Sequence, residues 1–216
     1  GEQELSLANG GNDLEWVRQM LAQGMRALRN KAEIAAAVAI KQGASRAVGT
    51  AGTTPFATTL DVLAEARKVL QDNGAPLADL QFAMDTAASL NLRKLGIFQQ
   101  AYAAGSDQER RTGQILPQFG FRISESAGVG LHTKGTGASY VTSGATAAGV
   151  TDIALVTGTG TVLSGDVVTF AADTANKYVV GTGVAAPGTI SLNRPGARVT
   201  IATANAMTIG NNYTAN

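Results

Sequence analysis

Few side chains of this 216-residue chain have the types and spacing that chemistry requires. Cysteine is absent, which excludes disulfides, thiolate metal sites and cysteine nucleophiles. His132 is the single histidine, whereas a Ser-His-Asp triad needs a serine and an acid beside it and a zinc site needs several donors. It is flanked by Gly130, Thr133 and Lys134, a setting typical of a solvated loop. The sequence therefore predicts His132 to be a loop residue and predicts no catalytic residue and no metal ligand.

The carboxylates give no better candidate for an active site. Asp107 and Glu109 stand in the charged run Ser-Asp-Gln-Glu-Arg-Arg at 106–111, which indicates a solvated loop or the start of a helix. An enzyme with a serine or carboxylate site in the first half of the chain remains an alternative. With one histidine, such an enzyme would need lysine or aspartate as its general base. We therefore predict that the protein is not an enzyme.

Glycine-rich stretches raise the question of a nucleotide site, since the chain has 26 glycines. A phosphate-binding P-loop needs Gly-Lys before serine or threonine, because the lysine reaches the terminal phosphates, and no lysine here follows a glycine. Gly-Thr-Gly-Val-Ala-Ala at 181–186 follows a predicted strand in the loose dinucleotide pattern, but Pro-Gly at 187–188 stands where a helix must begin. The segment therefore predicts a β-turn, and no cofactor is expected.

Charge is low and unevenly distributed along the chain. The formal net charge is +1 and charged residues are 15% of the total, so no overall attraction to nucleic acid or an anionic membrane is implied. The longest apolar run, Ile34–Ile40, is far shorter than the ~20 residues that span a bilayer. Residues 1–136 hold 14 Lys and Arg and 13 Asp and Glu, whereas residues 137–216 hold three of each. This shift predicts a domain boundary near 137, with the segment 135–139 as a hinge.

The first element is a long helix, predicted from about Asn12 to about Ser45. Asn-Asp-Leu-Glu at 12–15 resembles a capping box. Apolar residues then recur at spacings of three, four or seven, at Leu14, Val17, Leu21, Leu28, Ala32, Ala35 and Ala39. Gly24 and the alanines keep this face thin, so another backbone can approach it closely. Six basic residues against three acidic ones between positions 13 and 46 predict a solvated face or, alternatively, a strut facing nucleic acid or an acidic partner.

A mixed helical and extended region follows the long helix. A second helix is predicted over about 58–73, with a Thr-Thr cap, an apolar face and an Asn-Gly stop. A short apolar run at 80–84 predicts a buried strand, and Asp85 is a candidate cap for a short helix through Leu92. Residues 119–124 alternate as a strand does.

After residue 137 the spacing of the apolar residues changes from the helical period to a period of two residues, which is typical of strands. Short runs rich in β-branched residues are separated by Gly, Pro, Asn or Asp. The runs are Asp152–Val156, Val167–Ala171, Lys177–Thr182, Thr189–Leu192, Val199–Ala202 and Met207–Ile209. Six such strands predict a small antiparallel barrel or sandwich. The fold class predicted for the chain is α+β, with a long helix and a mixed α/β domain followed by a small antiparallel β-barrel.

The order of these elements resembles that of a known family. The long helix is followed by a Gly/Thr-rich loop at 49–56, the segment Leu63–Pro76, the apolar strand, Gly-Ser-Asp at 105–107 and Phe-Gly-Phe-Arg-Ile-Ser-Glu-Ser at 119–126. This order resembles the major capsid (coat) protein of tailed bacteriophages with the Hong Kong-type capsid fold. It most resembles the podophage coat-protein branch that carries a β-barrel insertion domain. The insertion would include Leu163–Phe170 and Lys177–Val180 and would reach Asn-Tyr-Thr at 212–214.

The resemblance implies an architecture and a role. Residues 1–136 would form a spine helix and an incomplete axial (capsid core) domain, and residues 137–216 the insertion domain. The protein would be a structural subunit of an icosahedral phage or prophage shell, located in the virion and assembled in the host bacterial cytoplasm around packaged DNA. Its partners would be further copies of itself in pentamers and hexamers, scaffolding and portal proteins, and packaged DNA bound without sequence specificity. No membrane partner is implied.

Two departures from the family pattern bear on this resemblance. Members often carry Asn-Pro after the apolar strand, where this chain has Ala-Met-Asp-Thr at 83–86. The chain also has no initiating Met and stops after the predicted barrel, so by this resemblance it would be a fragment. A fragment of this kind is expected to form a monomer or a low oligomer rather than shells by itself.

A second function class remains open on sequence grounds. The Thr/Gly-rich β half would then be a carbohydrate- or surface-binding module of a phage or secreted protein. Sugar sites usually need exposed aromatic side chains. Residues 137–216 contain four aromatic residues, Tyr140, Phe170, Tyr178 and Tyr213. A glycan-binding screen separates this function from a role in a shell.

Overall fold

The structure confirms the predicted α+β class, with a long helix and a closed six-stranded antiparallel barrel. It is a computed structural model and describes residues 13–100, 111–115 and 117–216, with side chains from Glu15 onwards. Two separate apolar cores are present, one in an α/β layer and one inside the barrel. Within the described ranges, no helix combines the length and the apolar character needed to cross a bilayer.

The first helix, α1, comprises 31 residues, Asp13–Gly43. Its length is about 46 Å at the usual helical rise. The barrel caps its C-terminal end, because the Asn193 side-chain amide donates hydrogen bonds to the carbonyls of Gln42 at 2.6 Å and Ala44 at 2.7 Å. The prediction of a helix over about 12–45 is therefore confirmed within the described residues, with the end two residues earlier than expected.

A small α/β layer follows α1. Its elements, after the two-residue strand β1 (Arg46–Ala47), are α2 (Asp61–Asp72), β2 (Leu80–Met84), α3 (Thr86–Lys94), α4 (Gly96–Gln99) and β3 (Phe121–Glu125). Strands β2 and β3 pair in parallel, with Leu80 opposite Phe121. The Asp85 carboxylate caps α3 by accepting a hydrogen bond from the Ala88 amide at 2.9 Å. The buried strand and the Asp85-capped helix are thus where the sequence predicted them. The second helix is confirmed, but its predicted Thr-Thr cap is wrong, because the helix begins at Asp61 after Leu60 and no side chain caps it.

The core of this layer lies between α2, α3 and the β2–β3 pair. Its buried residues are Phe56, Leu63, Leu80, Phe82, Met84, Ala88, Leu92, Phe98 and Phe121. The Phe82 ring packs edge-on against Phe56 and Phe121, with centroid distances of 5.8 and 6.2 Å. Leu63 on α2 has no exposed surface. The apolar face predicted for the second helix is therefore buried.

The remaining strands form the barrel and a short ribbon beside it. They are β4 (Leu131–His132), β5 (Tyr140–Thr142), β6 (Asp152–Val156), β7 (Val167–Phe170), β8 (Asp173–Thr182), β9 (Thr189–Leu192), β10 (Ala206–Ile209) and β11 (Tyr213–Thr214). Six of them close in the order β8-β7-β10-β5-β6-β9, with β9 paired back to β8, and every pairing is antiparallel. Strand β1 adds to the outer edge of β8, and β4 pairs with β11.

Alternating side chains fill the barrel interior. Ile153 and Leu155 of β6 point inward and their neighbours outward, as do Ile190 and Leu192 of β9. The interior also contains Tyr140, Val162, Val168, Phe170, Tyr178, Val180, Ala197, Ile201 and Met207. This period-two burial is the physical basis of the strand pattern that the sequence showed.

The structure corrects the strand list at several positions. The strand predicted over 119–124 begins at Phe121, because Phe119 and Gly120 form a turn with φ of 50° and 84°. The run 199–202 is not a strand, because only Ile201 is paired, in an isolated bridge to Thr146, before the chain turns at Ala204 with a φ of 53°. Strands β1, β4, β5 and β11 were not predicted. The segment 135–139, predicted as a hinge, is held to 159–161 by backbone hydrogen bonds, among them Gly137 N–H to the Thr161 carbonyl at 2.7 Å. The domain boundary near 137 stays a prediction.

Candidate functional site: a buried His–Asp pair and an exposed helix

The prediction that His132 is a solvated loop residue is wrong. His132 lies on β4, is 7% exposed, and its Nε2 is 2.8 Å from Oδ1 of Asp166. Strand pairing explains the burial, because His132 is opposite Tyr213 of β11 and the two rings are 5.0 Å apart, centroid to centroid. The partners are 34 and 81 residues away along the chain, so the local sequence around His132 carries no sign of them.

Asp166 is the centre of this cluster and is fully buried. Besides contacting His132, it accepts hydrogen bonds from the Gly135 amide at 3.1 and 3.2 Å and from the Leu163 amide at 2.8 Å. A buried carboxylate is stable only when such donors surround it. Asp166 therefore fixes two loops, the one after β4 and the one before β7, against each other.

Tyr213 closes the cluster on the side of β11. Its hydroxyl donates a hydrogen bond to the Gly165 carbonyl. Burial, and secondarily the negative charge of Asp166, raise the pKa of Tyr213 to about 12. The cluster holds the last strand of the chain to the barrel, and its hydrogen bonds end largely in backbone groups, which is the arrangement of a structural tie.

Replacing Tyr213 by Phe is expected to lower stability near neutral pH and to change its dependence on alkaline pH. The folded state holds the phenolic proton more tightly than the unfolded state, whose pKa is near 10.0. This contribution to stability is therefore complete below pH 10 and is lost as the pH rises towards about 12. Urea unfolding from pH 8 to pH 12 should show the gap between wild type and Tyr213→Phe narrowing. A gap that stays constant over this range would contradict the burial of the phenol.

A second buried cluster was also not predicted. The Tyr178 hydroxyl donates to Asp173 and accepts from the Arg198 amide at 2.9 Å, while the Arg46 guanidinium lies 4.6 Å from the centre of the Tyr178 ring. Burial, then the hydrogen bond to Asp173, raise the pKa of Tyr178. Arg46 also donates to the Gly196 carbonyl at 2.9 Å. This cluster attaches β1, and with it the end of α1, to the barrel wall.

The glycines of the 181–186 segment serve close packing. A Cβ on Gly183 would lie 2.0 Å from the Val162 carbonyl oxygen, and a Cβ on Gly181 would lie 2.4 Å from Oδ1 of Asn193. The backbone at Val184 bridges to Val162 immediately afterwards. The segment is thus packed against its own chain where a dinucleotide fingerprint would leave room for a pyrophosphate.

We expect Gly183→Ala to destabilise the barrel by about 1–3 kcal/mol, because the methyl group displaces the Val162 backbone. Gly144→Ala is the matched control, since a Cβ there meets no atom within 4 Å. Thermal melts of the two variants give the comparison. Equal melting temperatures would show that the barrel end near Gly183 is loosely packed.

The surface of α1 is largely exposed in the described part of the chain. Every residue from Val17 to Ala32 is exposed, and this includes apolar side chains such as Leu21 at 63%, Met25 at 67% and Leu28 at 64%. The predicted solvated basic face is present, but the apolar face is solvated as well. Single exposed apolar residues are ordinary, whereas a contiguous row of them marks an interaction site.

The part of the chain that the structure describes adds no metal site to the two buried clusters. Asp107 and Glu109 lie outside the described residues. Among the residues that are described, no three His, Asp or Glu side chains are grouped so that they could hold a metal ion. A scan against protein-family models and a search of curated proteins gave no match to this chain.

Proposed function

We propose that the chain is a structural subunit of an icosahedral phage or prophage shell and acts by self-assembly around packaged DNA. The observation that carries the proposal is α1, a 31-residue helix that exposes an apolar row over about five turns. A row of this size is stable in water chiefly when another protein covers it. The resemblance in element order to tailed-phage coat proteins supplies the class of assembly.

Charge on α1 supports contact with packaged nucleic acid. The basic residues of the helix are Arg18, Arg26, Arg29, Lys31 and Lys41, against Glu15 and Glu33 among the described side chains. Arg18 is paired with Glu15 only at 3.8 Å and its side chain is 82% exposed. Such exposed cations suit phosphate contacts without base readout. The proposed location of the protein is therefore the virion, with scaffolding and portal proteins as partners during assembly.

The alternative, a carbohydrate-binding module, has less support. Sugar-binding faces stack the ligand on exposed aromatic rings, but Tyr140, Phe170 and Tyr178 are at most 1% exposed. Tyr213 is half-buried against His132. The four aromatic side chains of the β half thus belong to packing, which leaves this surface without a stacking platform.

The test is to express the coding sequence together with the genes that flank it in its DNA of origin. Particles are purified by density-gradient centrifugation, viewed by electron microscopy and analysed by mass spectrometry. We expect closed shells in which this chain is among the most abundant polypeptides. The flanking genes themselves should encode portal and scaffolding proteins.

A matched deletion of this coding sequence from the same set of genes is the control. Loss of the particles on deletion supports the proposal. Shells that form without the chain, or the absence of any particle while the chain sediments as a small soluble protein, would contradict it.

A further inference from the structure

The exposed side of α1 that carries Leu21 and Leu28 faces away from the described body of the chain. Along α1, the Glu33 carboxylate accepts a hydrogen bond from the Ser126 hydroxyl at 2.5 Å, and Ala37 and Lys41 are partly buried. At the last turn, the barrel also contacts the Gln42 carbonyl through Asn193. Glu33, Ala37 and Lys41 are four residues apart and so lie on one side of the helix. Ala35 and Ala39 are each two residues from Ala37, which places them about 200° round the helix axis from Glu33 and Ala37 respectively, and both are exposed. Up to Ala39, the described residues of the body therefore leave the opposite side of α1 uncovered.

Seven residues on that side form what we call the α1 stripe. They are Val17, Leu21, Gly24, Leu28, Ala32, Ala35 and Ala39. Their spacings are four, three, four, four, three and four, which reads the same in both directions from Leu28. Two 11-residue steps make up this pattern, and that period keeps a stripe nearly parallel to the helix axis. All seven positions are exposed.

Side-chain size along the α1 stripe is complementary to its own reverse. The N-terminal half carries the larger Val17 and Leu21, and the C-terminal half carries the alanines. In an antiparallel pair centred on Leu28, Val17 lies opposite Ala39 and Leu21 opposite Ala35. Gly24 then faces Ala32, and a Cβ added to the glycine meets nothing within 4 Å beyond its own helix backbone. Large side chains facing small ones at each level is the arrangement that packs two helices closely.

The position of the body permits this pairing. The body contacts α1 near its C-terminal end, on the far side at Glu33 and at the last turn at Gln42, beyond the end of the α1 stripe. The bodies of two antiparallel copies therefore lie at opposite ends of the helix pair. A parallel pair would instead bring both bodies to the same end and align alanines with alanines. The contact strip is about 34 Å long and about 10 Å wide on each helix, which buries about 700 Å² in total. This area is below the ~1,200 Å² of stable specific interfaces, so the pair is a weak and transient one.

We propose that two copies of this chain pair through the α1 stripe as an antiparallel, two-fold symmetric dimer centred on Leu28. A two-fold interface uses the same patch on both copies, which the reversible spacing of the α1 stripe satisfies. The proposal rests on the proposed function in taking a second copy as the partner, and it adds the surface and the register. From the small strip we expect a dissociation constant on the order of 10–100 μM.

The chain has no cysteine, so single introduced thiols report the register directly. Leu28→Cys should be cross-linked to itself by a short bismaleimide in the purified protein. Leu21→Cys and Ala35→Cys should cross-link when mixed, with one copy isotope-labelled, but neither should cross-link alone. In the antiparallel pair, two copies of position 21 are about 21 Å apart along the axis, beyond the reach of a short reagent.

Arg26→Cys is the matched control, because it lies about 160° from Leu28 on the same exposed helix. Self-linkage of Leu21→Cys would mean a parallel pair, and linkage of Arg26→Cys as efficient as that of Leu28→Cys would mean random collision; either overturns the proposal. Absence of cross-linking at 1 mM protein, an order of magnitude or more above the expected constant, also overturns it.

Salt gives a second readout that distinguishes the partner. Two copies of a helix with excess positive charge repel, so sedimentation should show tighter dimers at 0.5 M than at about 0.05 M NaCl. Occupation of the same helix by DNA would weaken over that range instead. A chain that fails to dimerise here but is abundant in purified shells would refute only the dimer, whereas a dimer without shells would refute only the proposed function.

Discussion

Asp166→Ala is expected to destabilise the protein by about 3–5 kcal/mol and to lower its melting temperature by on the order of 10 °C. The change removes the acceptor of the Gly135 and Leu163 amides and leaves the His132 imidazole buried without its partner. Buried donors left without acceptors cost their full desolvation energy. Differential scanning calorimetry measures the effect.

Asp152→Ala is the matched control for this experiment. Asp152 is an exposed carboxylate at the start of β6 in the same barrel, and its removal should change stability by less than about 0.5 kcal/mol. Near-equal melting temperatures for the two variants would mean that Asp166 is solvated in solution. In that case the description of the His132–Asp166 pair as a structural tie would be wrong.

Leu63→Asp is expected to have an effect of similar size, about 4 kcal/mol or more, on the α/β layer. Leu63 has no exposed surface and packs in the core of this layer, so the variant loses apolar burial and places a carboxylate where the core provides no cation. Thermal unfolding followed by far-ultraviolet circular dichroism should show loss of the helical signal at lower temperature.

Ala64→Asp, one residue further along α2, separates burial from helix propensity. Ala64 is exposed, so this variant bears the lower helix propensity of aspartate, roughly 0.5–0.7 kcal/mol, without a burial penalty. A melting temperature for Leu63→Asp within two degrees of that of Ala64→Asp would show that this face of α2 is solvated.

The elements that the sequence predicted best are those with a sustained apolar period. Residues 152–156 and 189–192 alternate over a full strand, and the structure places both strands at those bounds. The helix over Asp61–Asp72 likewise has an apolar face and an Asn-Gly stop. In these segments the local pattern and the final burial agree, because each side chain finds its core within its own layer.

The parts that could not be predicted depend on partners far away in the chain. Strands β1, β4 and β11 have two residues each, too few to show any period. Strand β1 forms because β8 is adjacent to it in space, and β4 and β11 form because they pair with each other. The polar and glycine neighbours of His132 predict a solvated position. Its burial follows from Asp166 and Tyr213, and no local spacing reports those contacts.

The long helix illustrates a different limit of sequence reasoning. Its apolar period correctly predicted a helix, and Gly24 with the alanines predicted close approach of another backbone. The period could not say which backbone, because amphipathicity is the same whether the covering surface belongs to this chain or to another. The structure shows that, in the described residues, the chain does not cover Leu21, Met25 or Leu28.

The most direct test of the central claim, that many copies of this chain build a symmetric shell, is a cryo-electron-microscopy reconstruction of the purified particles. We predict that every asymmetric unit contains density for a rod about 46 Å long, the length of α1, attached to a six-stranded barrel. A shell built entirely from another fold, with this chain bound at a single vertex or absent from the map, would contradict the account.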